Sequence, residues 1–183
     1  MTDSRDPISV LLSLCPPPQD GGAGEPLART EETLGRRLPD SYHRLVEAYG
    51  TGCFDEFIWL YGNSPENNNL DIWHRSQKAR RVFLRSASVN LNLALSGLGA
   101  SRDDIISWGG TDNGDLCIWV AVGPSDQWPI LVVDVREDIC IKFDGNVTEF
   151  LLAFLQKDVT SDIFPDDFPS ANPEFSRNPY SGA

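Results

Sequence analysis

Histidine is scarce in this chain: His43 and His74 are the only two among 183 residues. Catalytic and metal chemistry lean on histidine, the side chain that titrates near neutral pH, so its scarcity removes most zinc sites and most general bases. Both read as surface residues, His43 beside Tyr42 on the outer side of a helix and His74 ahead of a run of bases. A Cys-x-x-Cys pair, a His-Glu-x-x-His helix and a P-loop are all missing. Gly50-Thr51-Gly52 and Gly97-Leu98-Gly99 do not continue as dinucleotide fingerprints, because Asp55 and Arg102 stand where the third glycine belongs. No catalytic group, metal or other cofactor is therefore expected.

Long apolar runs are missing too, since none approaches the roughly 20 residues that cross a bilayer. Residues 8–14 (ISVLLSL) are short, follow a mixed-charge flank and lead into Pro16-Pro17-Pro18 without a small-residue cleavage site, so they do not read as a signal peptide. A cytoplasmic location is expected, away from membranes. Positive charge is in short supply: 15 Lys and Arg face 27 Asp and Glu, for a net charge of −12. Phosphate binding needs a basic footprint, which argues against nucleic acid and for a basic protein partner. The imbalance is local: residues 103–138 hold eight acids and one base, whereas Arg75, Lys78, Arg80, Arg81 and Arg85 lie in a stretch with no acid. Cys15, Cys53, Cys117 and Cys140 are widely spaced among apolar neighbours and read as reduced, buried thiols.

What the chain does have is enough apolar residue, 40% of the total, for one core. Residues 34–52 (LGRRLPDSYHRLVEAYGTG) assign themselves almost position by position. Gly35 closes one helix, Leu38-Pro39 opens the next, and Asp40 sits at the positive end of its dipole. Tyr42, Leu45, Val46 and Tyr49 form an apolar stripe at i, i+3, i+4 and i+7, and Gly50-Thr51-Gly52 stops the helix. A strand at 54–60 follows. In 105–129 (IISWGGTDNGDLCIWVAVGPSDQWP), Asn113-Gly114 between two apolar runs predicts a type I′ hairpin with Trp108 and Trp119 on paired strands.

These pieces resemble the SUKH superfamily, the Smi/Knr-type domain of bacterial toxin-immunity loci and fungal cell-wall regulators. The residues that carry the resemblance are Leu34-Gly35, Leu38-Pro39, Tyr42 and Gly50-Gly52, then Asn113-Gly114, Cys117, Trp119, Trp128-Pro129 and Phe150-Leu151-Leu152. Five pieces in register span residues 27–157. The resemblance implies an α+β fold and a non-catalytic protein-binding role. That role is either an immunity protein masking the active site of a cognate toxin or a regulatory scaffold without a toxin partner.

The chain divides into an N-terminal helix and Pro/Gly-rich loop (1–26), an α+β body (27–158) and an acidic tail rich in proline and aromatics (159–183). The body is read as a single domain and a monomer, its central, mostly antiparallel sheet of about five strands flanked by helices. A helix is expected over 70–85, with Lys78, Arg81 and Arg85 on one face, either a solvated surface or a partner-binding stripe. Residues 86–99 suit a strand by alternation and a helix by length, and stay open. In 116–121 both faces are apolar, so both are covered or used. The tail, with Phe164, Phe168, Phe175 and Tyr180, either lies extended over the body or docks a partner, or is disordered.

Trp108, Trp119 and Trp128 fall within 21 residues, beside Asp112, Asp115 and Asp126. Aromatics ringed by acids suit a basic protein, the rings supplying energy and the carboxylates steering. Trp108 and Trp119 read as core and Trp128 as a ring at the rim. Glu56, Asp112, Asp115, Asp126 and Trp128 are the candidate partner contacts. Asp112 and Asp115 lack the spacing of a calcium loop and read as turn residues. Asp103-Asp104 and Asp166-Asp167 read as solvated pairs. An enzyme or small-molecule binder is a third reading with no motif behind it.

Overall fold

The apolar stripe of 34–52 becomes a helix with its inner side fully covered. In the computed structural model, which describes residues 6–19, 26–85 and 88–177, Gly35 closes α2 (Ala28–Leu34) at φ 65, and α3 (Asp40–Tyr49) buries Tyr42, Leu45, Val46 and Tyr49. Pro39 is the cap residue, and its ring carries no acceptor for the helix N–H groups. The Asp40 N–H donates instead to the Asp126 carboxylate at 2.9 Å, a cap supplied from far along the chain. Gly50 ends α3 at φ 72. Gly52 answers a different need, since a Cβ there would come within 2.5 Å of the Phe175 ring.

The sheet has seven strands rather than about five. They are β1 (Gly52–Phe54), β2 (Ile58–Leu60), β3 (Ile105–Thr111), β4 (Leu116–Val120), β5 (Ile130–Asp134), β6 (Ile139–Phe143) and β7 (Phe175–Arg177), in the order β6-β5-β4-β3-β2-β1-β7. Every neighbouring pair is antiparallel. Two local facts raise the count. The expected strand at 54–60 breaks into a hairpin at Asp55 and Glu56, with φ 51 and 56, and the tail adds β7 beside β1.

The Asn113-Gly114 hairpin forms with a different turn. Only Gly114 takes a positive φ (93), its N–H donates to the Thr111 carbonyl at 3.0 Å, and the Thr111 N–H donates to the Asp115 carbonyl at 3.1 Å. That is a three-residue loop with a glycine bulge; the third residue lets Asn113 keep ordinary backbone, and the paired positive φ values of a type I′ turn fall at Asp55-Glu56 instead. Of the open segment 86–99, residues 86 and 87 lie outside the described residues, and the rest forms α5 (Val89–Gly97), whose first turn is capped by Ser88 Oγ accepting the Leu91 N–H.

Strand alternation splits the core in two. Cys117, Trp119, Ala121, Ile130 and Val132 face α1 (Pro7–Leu14), α3, α6 (Val147–Leu155) and the tail. Leu116, Ile118, Val120, Leu131 and Val133 face α4 (Ile72–Arg85) and α5. The result is an α+β domain with its sheet covered on both sides, which is why β4 is apolar at every position. The first face is an aromatic lattice: Tyr42 meets Trp119 edge-on at 4.7 Å, and Trp108 lies 5.4 Å from Phe150. The Tyr42 hydroxyl donates toward the carbonyls of Tyr61 (2.5 Å) and Trp108 (2.9 Å), tying α3 to the sheet. The tail runs over this face through Arg177, with Ile163, Phe164 and Phe175 buried and Phe168 4.7 Å from Phe57. Tyr180 and the loop residues 20–25 lie outside the described residues.

Candidate protein-binding site

The five candidate contacts fall in three places. Glu56 and Asp112 come together, because the antiparallel pairing of β2 with β3 sets the β1–β2 turn beside the β3–β4 turn. The Asp112 N–H donates to the Phe57 carbonyl at 2.9 Å, and both acids are exposed. Their nearness is felt by the buried Cys53 thiol, pushed up to about 12 by burial first and then by Asp112, Glu56 and Asp55.

The tail completes this corner. The Asp55 N–H donates to the Glu174 carbonyl at 2.6 Å, and the Ser170 N–H and hydroxyl both donate to the Asp55 carboxylate at 2.6 Å. Between turn and tail lies an open groove of about 510 Å³, lined by Asp55, Glu56, Asp167 and Glu174 and by the rings of Phe57 and Phe168. Asp55 is committed to holding the tail. Glu56, Asp112, Asp167 and Glu174 are exposed, and none is paired with a cation among the described residues. Several unpaired carboxylates gathered at one corner give it a negative field.

The other three candidates do not join them. Asp115 is 1% exposed; Thr111 Oγ1 donates to its carboxylate at 2.6 Å and Arg136 at 3.2 Å, so it staples the hairpin from inside. Burial raises its pKa, with Asp134 adding to the rise and Thr111 and Arg136 opposing it. Asp126 is exposed, but its carboxylate caps α3. Trp128 is 6% exposed and no rim residue: the 3-10 turn Ser125–Gln127 folds the chain back, its indole N–H donates to the Gly123 carbonyl at 3.1 Å, and its ring meets Trp119 edge-on at 6.0 Å. Trp108 and Trp119 are core, as read.

Asp167 and Glu174 belong to the groove and were not among the candidates. Their position depends on where the tail runs, and the signal available was an acid one residue before Phe168 and Phe175. The histidines are half-buried rather than free on the surface. His43 Nε2 lies 2.8 Å from the Glu31 carboxylate, which also accepts the Leu38 N–H, and His74 Nδ1 lies 2.8 Å from Asp71, which accepts the His74 N–H and starts α4. Among the described residues, no three His, Cys, Asp or Glu side chains gather as metal ligands would, and no helix is long and apolar enough to cross a membrane.

A family model described as SMI1-KNR4 cell-wall, of the SUKH group, matches residues 25–151. The chain belongs to the SUKH family. No curated protein and no solved structure is matched at a significant level. The SUKH match takes in α2 to α5 and β1 to β6, and it ends within α6. Half of the acidic groove, the turn with Asp55, Glu56 and Phe57, therefore lies in the SUKH body, while Asp167, Phe168 and Glu174 come from beyond the match.

Proposed function

We propose that this SUKH protein is a non-catalytic binding protein of the immunity type, which neutralises a cognate protein toxin by covering its active site. The observation that carries the reading is the groove, where exposed, unpaired carboxylates stand beside the rings of Phe57 and Phe168. A toxin that acts on an anionic substrate, such as a nuclease, presents a cationic cleft, and spaced carboxylates imitate the phosphates it is built to hold. The net charge of −12 speeds encounter with such a partner. Glu56, Asp112, Asp167 and Glu174 are the contacts in this reading. Asp115, Asp126 and Trp128 serve the fold.

Affinity capture with the tagged full chain from source cells, at moderate salt and with mass spectrometry, tests the reading. It predicts one dominant basic protein, toxic when expressed alone and tolerated when co-expressed with this chain. Recovery of several acidic or housekeeping proteins, or no rescue of growth, contradicts it and favours a regulatory scaffold. The tail gives that scaffold reading little support, because Phe164 and Phe175 are spent on the body.

A further inference from the structure

Several arginines and lysines among the described residues have work to do. Arg36, Arg44, Arg136 and Lys142 are each held by a carboxylate, Arg80 donates to the Ile105 carbonyl, and Arg75 lies over the Tyr61 ring. Lys78, Arg81 and Arg85 differ. They stand at i, i+3 and i+7 on the outer side of α4, exposed, and no carboxylate or ring engages them among the described residues. Like charges at this spacing repel by a few tenths of a kcal/mol per pair. The inner side of the same helix is occupied, since Ile72, Ala79 and Phe83 are buried.

A second observation falls on the same side of the sheet, which α4 and α5 both cover. The three most exposed large apolar side chains in the described residues are Leu84 at 69%, Leu93 at 65% and Val89 at 59%. Leu84 follows Arg81 by three positions on α4. Val89 and Leu93 are one turn apart on α5, opposite the Leu91 and Leu95 pair that packs on the sheet. A helix on the surface of a monomer turns polar residues outward; this one turns out a valine and a leucine on the side of the sheet that carries the unpaired cations, with the Asp138 carboxylate accepting from Ser88 and Val89 at its first turn.

We propose that the outer face of α4 and α5 is a second docking surface, which takes an acidic amphipathic segment of a protein partner. Carboxylates of the segment pair with Lys78, Arg81 and Arg85 while its apolar side chains cover Leu84, Val89 and Leu93. A protein segment is favoured over a lipid surface on the ground of charge. A chain of net charge −12 is repelled by an extended anionic sheet, whereas a short segment meets only the local cations within a screening length of about 8–10 Å. The surface is separate from the acidic groove and stands whether or not the groove binds a toxin.

The test uses the full chain and two fluorescein-labelled helical peptides of the same Leu stripe, one flanked by Glu and one by Lys. Fluorescence anisotropy reads binding to the Glu peptide and none to the Lys peptide. The Arg81→Glu/Arg85→Glu and Leu84→Ser/Leu93→Ser variants each weaken the Glu peptide by about tenfold or more, with unchanged melting temperatures because the altered side chains are exposed. Glu56→Gln/Asp167→Asn, in the groove, leaves this affinity as it was. Equal binding of both peptides, no binding of the Glu peptide, or indifference to both double variants overturns the proposal. So does retention of the chain on phosphatidylserine vesicles in preference to the Glu peptide, which assigns the face to lipid. A dimer in light scattering that Leu93→Ser dissolves also overturns it, and assigns the face to a second copy.

Discussion

The two faces of the sheet are made from alternate residues of the same strands, and they are finished differently. Toward α1, α3, α6 and the tail, β4 sends Trp119 into a lattice of rings, and segments from both ends of the chain fold over it. Toward α4 and α5, β4 sends Leu116, Ile118 and Val120 against two helices alone, and Leu84, Val89 and Leu93 are left outside. One face is sealed and carries the acidic groove at its edge; the other is thinly covered and carries unpaired cations. The three most exposed apolar side chains lie on the α4 and α5 side, and the acidic groove lies on the other.

The contrast is sharpest in the core. Trp119→Ala, on the ring-packed face, should cost about 4 kcal/mol and lower the melting temperature by roughly 10 °C, while Ile118→Ala, its neighbour on the other face, should cost about 3 kcal/mol. Equal or reversed losses in thermal melts would erase the distinction between the faces. The seal itself is tested at Gly52, where a side chain collides with the Phe175 ring. Gly52→Val should cost about 2 kcal/mol and strip hydrogen-exchange protection from β7 while sparing β3 to β5.

Asp115→Ala should cost a similar or slightly smaller amount, about 2 kcal/mol by urea unfolding, because Thr111 and Arg136 lose the carboxylate they hold. A loss near zero would return Asp115 to the surface contacts. Acid should weaken the sealed side gradually. Arg136 lowers the Asp134 carboxyl below the usual 3.8, and the Ser101 N–H, helped by Arg36, does the same for Asp104. Both contribute stability that is present above the unfolded value and lost as pH falls through the folded one, so urea midpoints should decline from about pH 4 downward. Asp115, raised by burial, acts with the opposite sign and softens the decline. The smallest effect belongs to the open face: Leu93→Ser should change stability by no more than about 0.5 kcal/mol.

Local patterns were readable and tertiary ones were not. The helix from Asp40 to Tyr49 follows from spacing alone, and the double coverage of β4 follows from its being apolar at every position. Val89-Asn90-Leu91-Asn92-Leu93 fits two periods because α5 has apolar residues all round, so nothing in the segment decides between strand and helix. The β1–β2 hairpin was hidden because Asp55 and Glu56, rather than glycine or asparagine, take the positive φ values. Asp112 and Asp115 are three residues apart, one exposed and one buried, and only the direction taken by the chain after Gly114 separates them. Trp128 had the composition of a rim residue and the surroundings of a core one. The groove was half legible, since Glu56 sits on a turn of the body, with Asp112 on the turn beside it, while Asp167 and Glu174 depend on a tail whose path is set by Gly52 and the rings it meets.

The central claim is that exposed carboxylates on the sealed side recognise a cationic partner. The most direct measurement is the affinity of the captured partner for the wild-type chain and for Glu56→Gln/Asp112→Asn/Asp167→Asn/Glu174→Gln, each followed from about 50 to 300 mM salt. The account predicts that wild-type affinity falls steeply with salt and that the fourfold variant, folded and equally stable, binds at least about a hundredfold more weakly with a flattened salt dependence. Equal affinity and an unchanged salt slope in the variant would contradict it.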